Sequence, residues 1–229
     1  MTRMPERAGR KSVRTTPLWL ALAMAATLAG RADAQWRLSV WFGDAWNART
    51  PVTFTQAGQA DITTTADWST RPWRPTWYYS GRIARWSGNQ AWAFEYMHHK
   101  LYLDNPPPGV TYFRITNGVN NLLAEHLWRS HGWDYGVGAG PAFVVPISEV
   151  RGRQYDYADG IFESRYELGG GTLQVNLQRP LKVLPFLFGS LAIKGTASYL
   201  RVHIADGHAR LVNFAVHLQY GISLQAPGR

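Results

Sequence analysis

A column of polar side chains within one short segment is the first candidate for chemistry. Glu95 and His99 have an even separation, so on a β-strand they lie on the same face, and Tyr78 is expected opposite His99 on the preceding segment. Imidazole titrates near neutral pH, and beside a carboxylate and a phenol it is suited to acid–base catalysis. We take Tyr78, Glu95 and His99 as candidate catalytic residues, and a purely structural hydrogen-bond network as the simpler alternative.

More polar residues flank this column and are expected at the same rim of the fold. They are the candidate binding residues His98, Lys100, Arg114, Asn117 and Asn120. No H-x-x-x-H or H-E-x-x-H spacing and no Cys occurs, so the sequence predicts no metal site and leaves any cofactor unknown. A G-x-S-x-G nucleophile motif is also absent, and the triple glycine at 169–171 lacks the Lys-Ser/Thr of a phosphate-binding loop.

The elements that must position these residues are long alternating strands. From Leu211 to Leu224 the chain reads "LVNFAVHLQYGISL", in which apolar side chains alternate with polar or small ones. This period of two is sustained well beyond the usual strand of about 5–6 residues. Its apolar face suits lipid, whereas His217 and Gln219 on the other face are expected to line an interior as structural residues.

Eight such segments follow one another along the chain. They cover approximately 36–43, 77–86, 91–103, 119–128, 133–145, 168–178, 182–202 and 210–224. Short turns alternate with long connections. The long connections are at 47–76, 104–118 and 146–167, and the last connection, around Asp206, is short where this alternation predicts a long one. Tight turns at one end and longer loops at the other are typical of outer-membrane barrels.

The first tight turn also predicts a register. Gly88-Asn89 is a two-residue hairpin signal, and if Ser87 faces Gln90, then Arg82 lies directly opposite Glu95. Charged side chains inside a narrow barrel must be paired, so we expect Arg82 and Glu95 to form a structural ion pair in the interior.

The N-terminus has the pattern of a secretory signal peptide. A basic lead precedes the apolar run Pro17 to Gly30, and an A-x-A site ends at Ala34. We therefore expect a signal peptide at 1–34 and a single barrel domain at 35–229. Without residues 1–34, the 24 basic and 15 acidic residues become 18 and 13, which removes the main argument for nucleic-acid binding.

Tryptophan placement agrees with this arrangement. Trp86 and Trp92 bracket one tight turn, Trp128 and Trp133 bracket the next, and Trp36 begins the first segment, as an interfacial girdle requires. The predicted fold class is all-β: an eight-stranded antiparallel up-and-down transmembrane β-barrel. A secreted lipocalin-like barrel, with the apolar face inside, is the alternative.

A family resemblance follows from these segments. The stretches that carry it are "WYYSGRIARW", "FEYMHHKLYL", "ITNGVNNLLAEHLW", "YGVGAGPAFVVP" and "VNFAVHLQYGISL". They resemble small outer-membrane β-barrels of the OmpA-like superfamily and, more narrowly, its lipid A oxidase-like branch. The resemblance implies a Gram-negative outer-membrane protein whose rim meets lipopolysaccharide, and an oxygen-dependent oxidation of lipid A in that branch.

The functional expectation is therefore a monomeric, non-porin envelope or surface protein with lipid and lipopolysaccharide as partners. It would be inserted by the barrel-assembly machinery, and no nucleic acid is involved. A lipid A-modifying enzyme with its site at the rim is the first alternative. A narrow pore is the second, although side chains nearly fill an eight-stranded barrel.

Overall fold

The structure is a computed structural model, which describes residues 34–156 and 166–226. Every strand of the described part belongs to one antiparallel sheet. The strands are β1 (Gln35–Asn47), β2 (Thr50–Gln56), β3 (Ile62–Ala66), β4 (Trp68–Ser69), β5 (Tyr79–Ser87), β6 (Gln90–Leu103), β7 (Val110–Ser130), β8 (Trp133–Val150), β9 (Arg153–Tyr155), β10 (Glu167–Lys182), β11 (Leu187–Ile204) and β12 (Gly207–Gln225). No helix in these ranges is long and apolar enough to cross a membrane.

Eight of these strands close into a barrel. The hydrogen-bonded order is β1, β5, β6, β7, β8, β10, β11 and β12, and β12 pairs back onto β1 from Arg37–Gln225 to Asn47–Ala215. If the short strands β2, β3, β4 and β9 are set aside, strands that are adjacent in the barrel are also consecutive in the chain, so the topology is up-and-down. This confirms the predicted fold class, its eight strands and their order.

The two ends of the barrel differ, as the sequence predicts. At the turn end, β5–β6 and β7–β8 are joined by two residues each, Gly88-Asn89 and His131-Gly132. At the opposite loop end, β2 and β3 extend the sheet from β12, while β4 pairs with β6 and β9 with β8. The predicted signal peptide lies outside the described residues and stays a prediction.

Two predicted loops are wrong in their extent. Residues 110–118 belong to β7, with irregular pairing to β8 between Ile115 and Val119, and β8 continues to Val150. The polar and proline-rich composition of these stretches suggested loops. The strands instead continue toward the loop end, beyond the segments with strict apolar–polar alternation, and enclose an apolar core there. The prediction that Trp86 belongs to the interfacial girdle is also wrong. Its side chain is buried, and the guanidinium of Arg129 lies 4.2 Å from its ring centroid.

The interior therefore has two zones. Around the middle of the barrel it is polar, whereas at the loop end it is an apolar core in which Phe54 packs edge-to-face on Phe113 at 5.3 Å. The largest members of this loop-end core are Phe54, Trp68, Leu101, Leu103, Phe113, Ile115, Leu200, Ile204 and Leu211. Apolar burial of this kind stabilises the extended strand ends by roughly 25 cal/mol per Å².

Candidate functional site

Four charged side chains occupy the middle of the barrel, and we call Arg82, Glu95, Glu125 and Lys194 the charge cluster. Arg82 lies directly opposite Glu95 in the β5–β6 ladder, as predicted, and its Nη2 donates to Glu95 Oε2 at 2.6 Å. Arg82 Nε also lies 2.6 Å from Glu125 Oε2, and Lys194 Nζ donates to Glu95 Oε1 at 2.5 Å. All four are buried, and two positive charges balance two negative ones.

Neutral side chains and a glycine complete this cluster. The side-chain amides of Gln174 and Asn176 each donate to Glu125 Oε1 at 2.9 Å. A Cβ at Gly138 would lie 2.8 Å from Glu125 Cγ, so the absence of a side chain there makes room for the glutamate.

A layer of aromatic side chains lies next to the charge cluster, toward the loop end. Tyr78 Oη is 2.9 Å from His217 Nδ1 and accepts a hydrogen bond from Gln219 Nε2 at 2.6 Å. The His99 ring contacts that of His217 at a centroid distance of 4.9 Å and that of Tyr78 at 6.2 Å. We call Tyr78, His99 and His217 the ring layer.

The ring layer and the charge cluster are one connected network. Lys194 Nζ donates to Ser80 Oγ at 3.3 Å, Ser80 Oγ donates to Gln219 Oε1 at 3.2 Å, and Gln219 reaches Tyr78. The structure thus brings the three candidate catalytic residues, Tyr78, Glu95 and His99, into the same interior. All three are buried: Glu95 belongs to the charge cluster, and Tyr78 and His99 lie between that cluster and the loop-end core.

The histidine next to His99 faces the opposite way, on the outer wall of the barrel. His98 Nδ1 is 2.8 Å from Asn120 Oδ1, the Tyr96 hydroxyl donates to the same oxygen at 2.5 Å, and Thr76 Oγ1 lies 3.0 Å from His98 Nε2. We call Thr76, Tyr96, His98 and Asn120 the wall cluster. Sequence reasoning missed Thr76 and Tyr96. Tyr96 and His98 are two residues apart on a face predicted to contact lipid, and two polar side chains there could have indicated a cluster.

The other expected rim residues are dispersed. Lys100 is fully buried in β6, where its Nζ donates to the carbonyl oxygen of Arg74 at 2.7 Å. Arg114 is exposed, with its guanidinium 5.6 Å from the ring centroid of Tyr112. Asn117 contributes its carbonyl oxygen, which accepts from Asn120 Nδ2 at 2.9 Å. Of the predicted binding residues, only His98, Asn117 and Asn120 meet.

A further ion pair closes the turn end. Arg37 Nη1 donates to Asp134 Oδ2 at 3.1 Å, and Arg129 Nε donates to the other carboxylate oxygen at 2.6 Å. Across residues 34–156 and 166–226, His, Cys, Asp and Glu side chains form no group of three arranged to hold a metal ion.

Among solved structures, the chain is similar to two outer membrane proteins and a surface protein. Outer membrane protein AlkL, determined in DMPC lipid bilayers, is 14% identical with a TM-score of 0.48, over 97% of each chain. OprG from Pseudomonas aeruginosa is 7% identical with a TM-score of 0.43, over 86% of this chain and 97% of its own. Neisserial surface protein A is 10% identical with a TM-score of 0.39, over 84% and 96%.

No protein-family profile matches the chain, and no curated protein matches it either. The resemblance to the lipid A oxidase-like branch therefore stays a prediction.

Proposed function

We propose that this protein is a small, non-porin barrel of the bacterial outer membrane with a role in the envelope or at its surface. Its loop end would face outward and contact lipopolysaccharide.

The observation that carries this proposal is a belt of exposed apolar side chains that includes every barrel strand. One exposed member from each strand is Leu38, Ile83, Phe94, Leu122, Val137, Leu173, Ile193 and Leu218. Soluble monomers rarely expose contiguous apolar surface on this scale. The interior behind the belt is charged and polar, whereas a lipocalin-like barrel would have the apolar face inside. A closed barrel leaves no unpaired strand edge, which hydrocarbon would penalise.

The filled interior argues against a pore. The charge cluster, the ring layer and the loop-end core succeed one another inside the barrel, and their members are buried. An eight-stranded barrel is just wide enough for side chains to fill. Conduction would require breaking several charge-assisted hydrogen bonds that stabilise the interior.

Contact with lipopolysaccharide is supported by arginines at the loop end. Arg74, Arg114, Arg201 and Arg210 are exposed there, and guanidinium groups pair well with phosphate oxygens.

Expression of the full chain in a Gram-negative host tests the proposal. We expect the protein in the outer-membrane fraction, with heat-modifiable migration on a gel and no stepwise conductance in planar bilayers. Recovery from the soluble periplasmic fraction, or reproducible single-channel steps from purified protein, would contradict it.

A further inference from the structure

The connection between β10 and β11 differs from the two other turns at the same end of the barrel. The β5–β6 and β7–β8 turns are short and contain no large apolar side chain, since they consist of Gly88-Asn89 and His131-Gly132. The β10–β11 turn and the strand end before it expose a cluster of apolar side chains, each 46–63% accessible: Leu181, Val183, Leu184 and Phe186. A cluster of exposed apolar side chains marks a surface that meets another molecule or a membrane.

The backbone of this turn is held by hydrogen bonds. The amides of Val183 and Leu184 both donate to the carbonyl oxygen of Leu187, at 3.0 Å each. The amide of Gln225, at the end of β12, donates to the carbonyl oxygen of Phe186 at 2.9 Å. These bonds use backbone polar groups of the turn, so its exposed surface is formed mainly by apolar side chains.

Two cations flank these apolar side chains, and neither has an acidic partner. Arg179 is exposed, with its guanidinium 5.1 Å from the ring centroid of Trp133. Lys182 is exposed at the last pair of the β10–β11 ladder, opposite Phe188. The side chains of Arg179 and Lys182 form no hydrogen bond or ion pair with any residue that the structure describes. Both charges are therefore available to an anion from outside the chain.

The distribution of charge at the turn end also favours an anion. Within the described ranges, the one carboxylate beside the turns is that of Asp134, which is buried. Its two oxygens already accept hydrogen bonds from Arg37 and Arg129. No acidic side chain there is left to compensate Arg179 or Lys182. At the loop end, by contrast, three arginines pair with carboxylates: Arg49 with Asp67, Arg71 with Asp104 and Arg153 with Asp206.

The neighbours of Arg179 place it at a membrane–water interface. Arg179 pairs with Leu191, and Leu191 pairs with Tyr220, so these exposed side chains form one row with Trp133 on the outer wall. Trp and Tyr concentrate where hydrocarbon meets water. Lys182 lies three residues nearer the turn, on the aqueous side of this row. The two cations are thus at the depth of lipid headgroups.

We propose that residues 179–187, which we call the basic–apolar turn, bind an anionic glycerophospholipid of the periplasmic leaflet. The lipid phosphate lies at Arg179 and Lys182, and the apolar side chains enter the interface beside the acyl chains. The assignment rests on the proposed function, because the turn end meets the periplasmic leaflet only in that orientation. Basic residues next to exposed apolar ones are typical of segments that bind anionic membrane surfaces. Peptidoglycan could offer anions to the cations but has no hydrocarbon for the apolar side chains.

Native mass spectrometry of the purified full-length barrel in detergent tests the proposal, with palmitoyl-oleoyl phosphatidylglycerol as the probe. We compare wild type with Arg179→Gln/Lys182→Gln. The matched control is Arg201→Gln/Arg210→Gln, which removes two exposed positive charges from the loop end. We expect wild type and the control to retain phosphatidylglycerol, and the turn variant to retain about tenfold less, because two cations that attract the anionic headgroup are lost.

Two further arms keep this comparison interpretable. Lys182→Gln alone replaces the double variant if the latter does not show heat-modifiable folding, and a smaller loss in the same direction is expected. Palmitoyl-oleoyl phosphatidylethanolamine, which has the same acyl chains and no net charge, replaces phosphatidylglycerol in a parallel titration. We expect weaker retention of this lipid, with no response to either double variant.

A second measurement tests the apolar part of the turn. Because the chain has no cysteine of its own, Phe186→Cys can carry a single fluorescent label in vesicles that contain phosphatidylglycerol. Asn89→Cys, in the polar β5–β6 turn, is the control. We expect lipids with a nitroxide near the headgroup to quench the label strongly at position 186 and weakly at position 89.

Equal retention of phosphatidylglycerol by wild type and the turn variant would overturn the proposal, as would equal quenching at positions 186 and 89. An equal loss in the loop-end control would show that total charge, and not this turn, retains the lipid. If the turn variant lost co-sedimentation with purified peptidoglycan but kept its phosphatidylglycerol, the cations would belong to peptidoglycan instead. Each of these results is compatible with a non-conducting barrel in the outer membrane, so failure here is distinguishable from failure of the proposed function.

Discussion

Arg82 and Glu95 face each other across the β5–β6 ladder and share two hydrogen bonds, from Nη2 at 2.6 Å and from Nε at 3.0 Å to the same carboxylate oxygen. Each residue also has another charged partner: Arg82 contacts Glu125, and Glu95 accepts a hydrogen bond from Lys194. The four residues are therefore neutral only as a group. If Arg82 and Glu95 are both removed, one positive charge on Lys194 and one negative charge on Glu125 remain.

This neutrality predicts how substitutions combine. We expect Glu95→Ala to destabilise the barrel by about 3–5 kcal/mol, because it leaves buried positive charge without compensation. The double variant Arg82→Ala/Glu95→Ala retains Glu125 and Lys194, which balance each other, so its loss should be smaller than that of Glu95→Ala. Urea unfolding in lipid vesicles, followed by tryptophan fluorescence, measures the difference. A double variant that loses the full sum of the two single variants would show that the residues are not coupled.

Closure of the barrel depends on close backbone approach at the β1–β12 seam. A Cβ at Gly221 would lie 2.1 Å from the carbonyl oxygen of Val40, and backbone atoms cannot give way as a flexible side chain does. We expect Gly221→Ala to reduce the heat-modifiable, folded fraction on a gel severalfold. Gly189→Ala, where the added methyl group has room, serves as the control. Equal folded fractions for both variants would show that the seam tolerates a side chain.

The orientation of the barrel is testable with single cysteines, because the chain has none of its own. Ala60 and Asn89 are exposed at the loop end and the turn end, respectively. We expect a membrane-impermeant maleimide to label Ala60→Cys in intact cells and Asn89→Cys only after permeabilisation, because the tight turns face the periplasm. The reverse pattern would invert the proposed orientation.

The catalytic hypothesis for Tyr78, Glu95 and His99 has a direct readout in lipid A. A non-enzymatic barrel predicts identical lipid A masses in cells with and without the protein. If a modification is present, catalysis by His99 requires that His99→Ala abolish it while the barrel still migrates as folded. A modification that persists in His99→Ala would remove His99 from the mechanism, and one that is lost on deletion of the whole protein would contradict the non-enzymatic proposal.

A pair of arginines at the loop end affects a neighbouring histidine. Arg201 and Arg210 pair directly across β11–β12, and His203 pairs with His208 in the same ladder. Partial burial, followed by the charges of Arg201 and Arg210, lowers the pKa of His208. Since the folded pKa is the lower one, protonation of this histidine favours the unfolded state. The stability is therefore full above its ordinary pKa and is lost as the pH falls from there through the lowered folded pKa.

We expect Arg201→Gln to raise the pKa of His208, which an NMR titration of the imidazole measures. Arg179→Gln, at the turn end, is the control and should leave the titration unchanged. An identical midpoint in the Arg201→Gln variant would show that the arginine does not act on this group.

The alternating pattern of the sequence predicted much of the barrel because a strand's period of two is a local property. Short-range patterning predicts the eight strands, their order and the inward position of His217 and Gln219. One hairpin turn predicts the register that places Arg82 opposite Glu95. The strand ends were less predictable. Residues 110–118 look like a loop by composition, yet they are strand because Phe113 and Ile115 pack in the loop-end core with residues distant in sequence.

Contacts across the barrel depended on closure and shear, which no local pattern encodes. Glu125 on β7 reaches Arg82 on β5, and Lys194 on β11 reaches Glu95 on β6, although the strands in each case are not adjacent in the barrel. Tyr78 meets His217 although they are 139 residues apart. The outer wall shows the same division. The sequence alone placed His98 and His99 on opposite faces. Only the tertiary structure brought Tyr96 and Asn120 to His98, because lateral neighbours on a sheet are fixed by strand register and not by sequence distance.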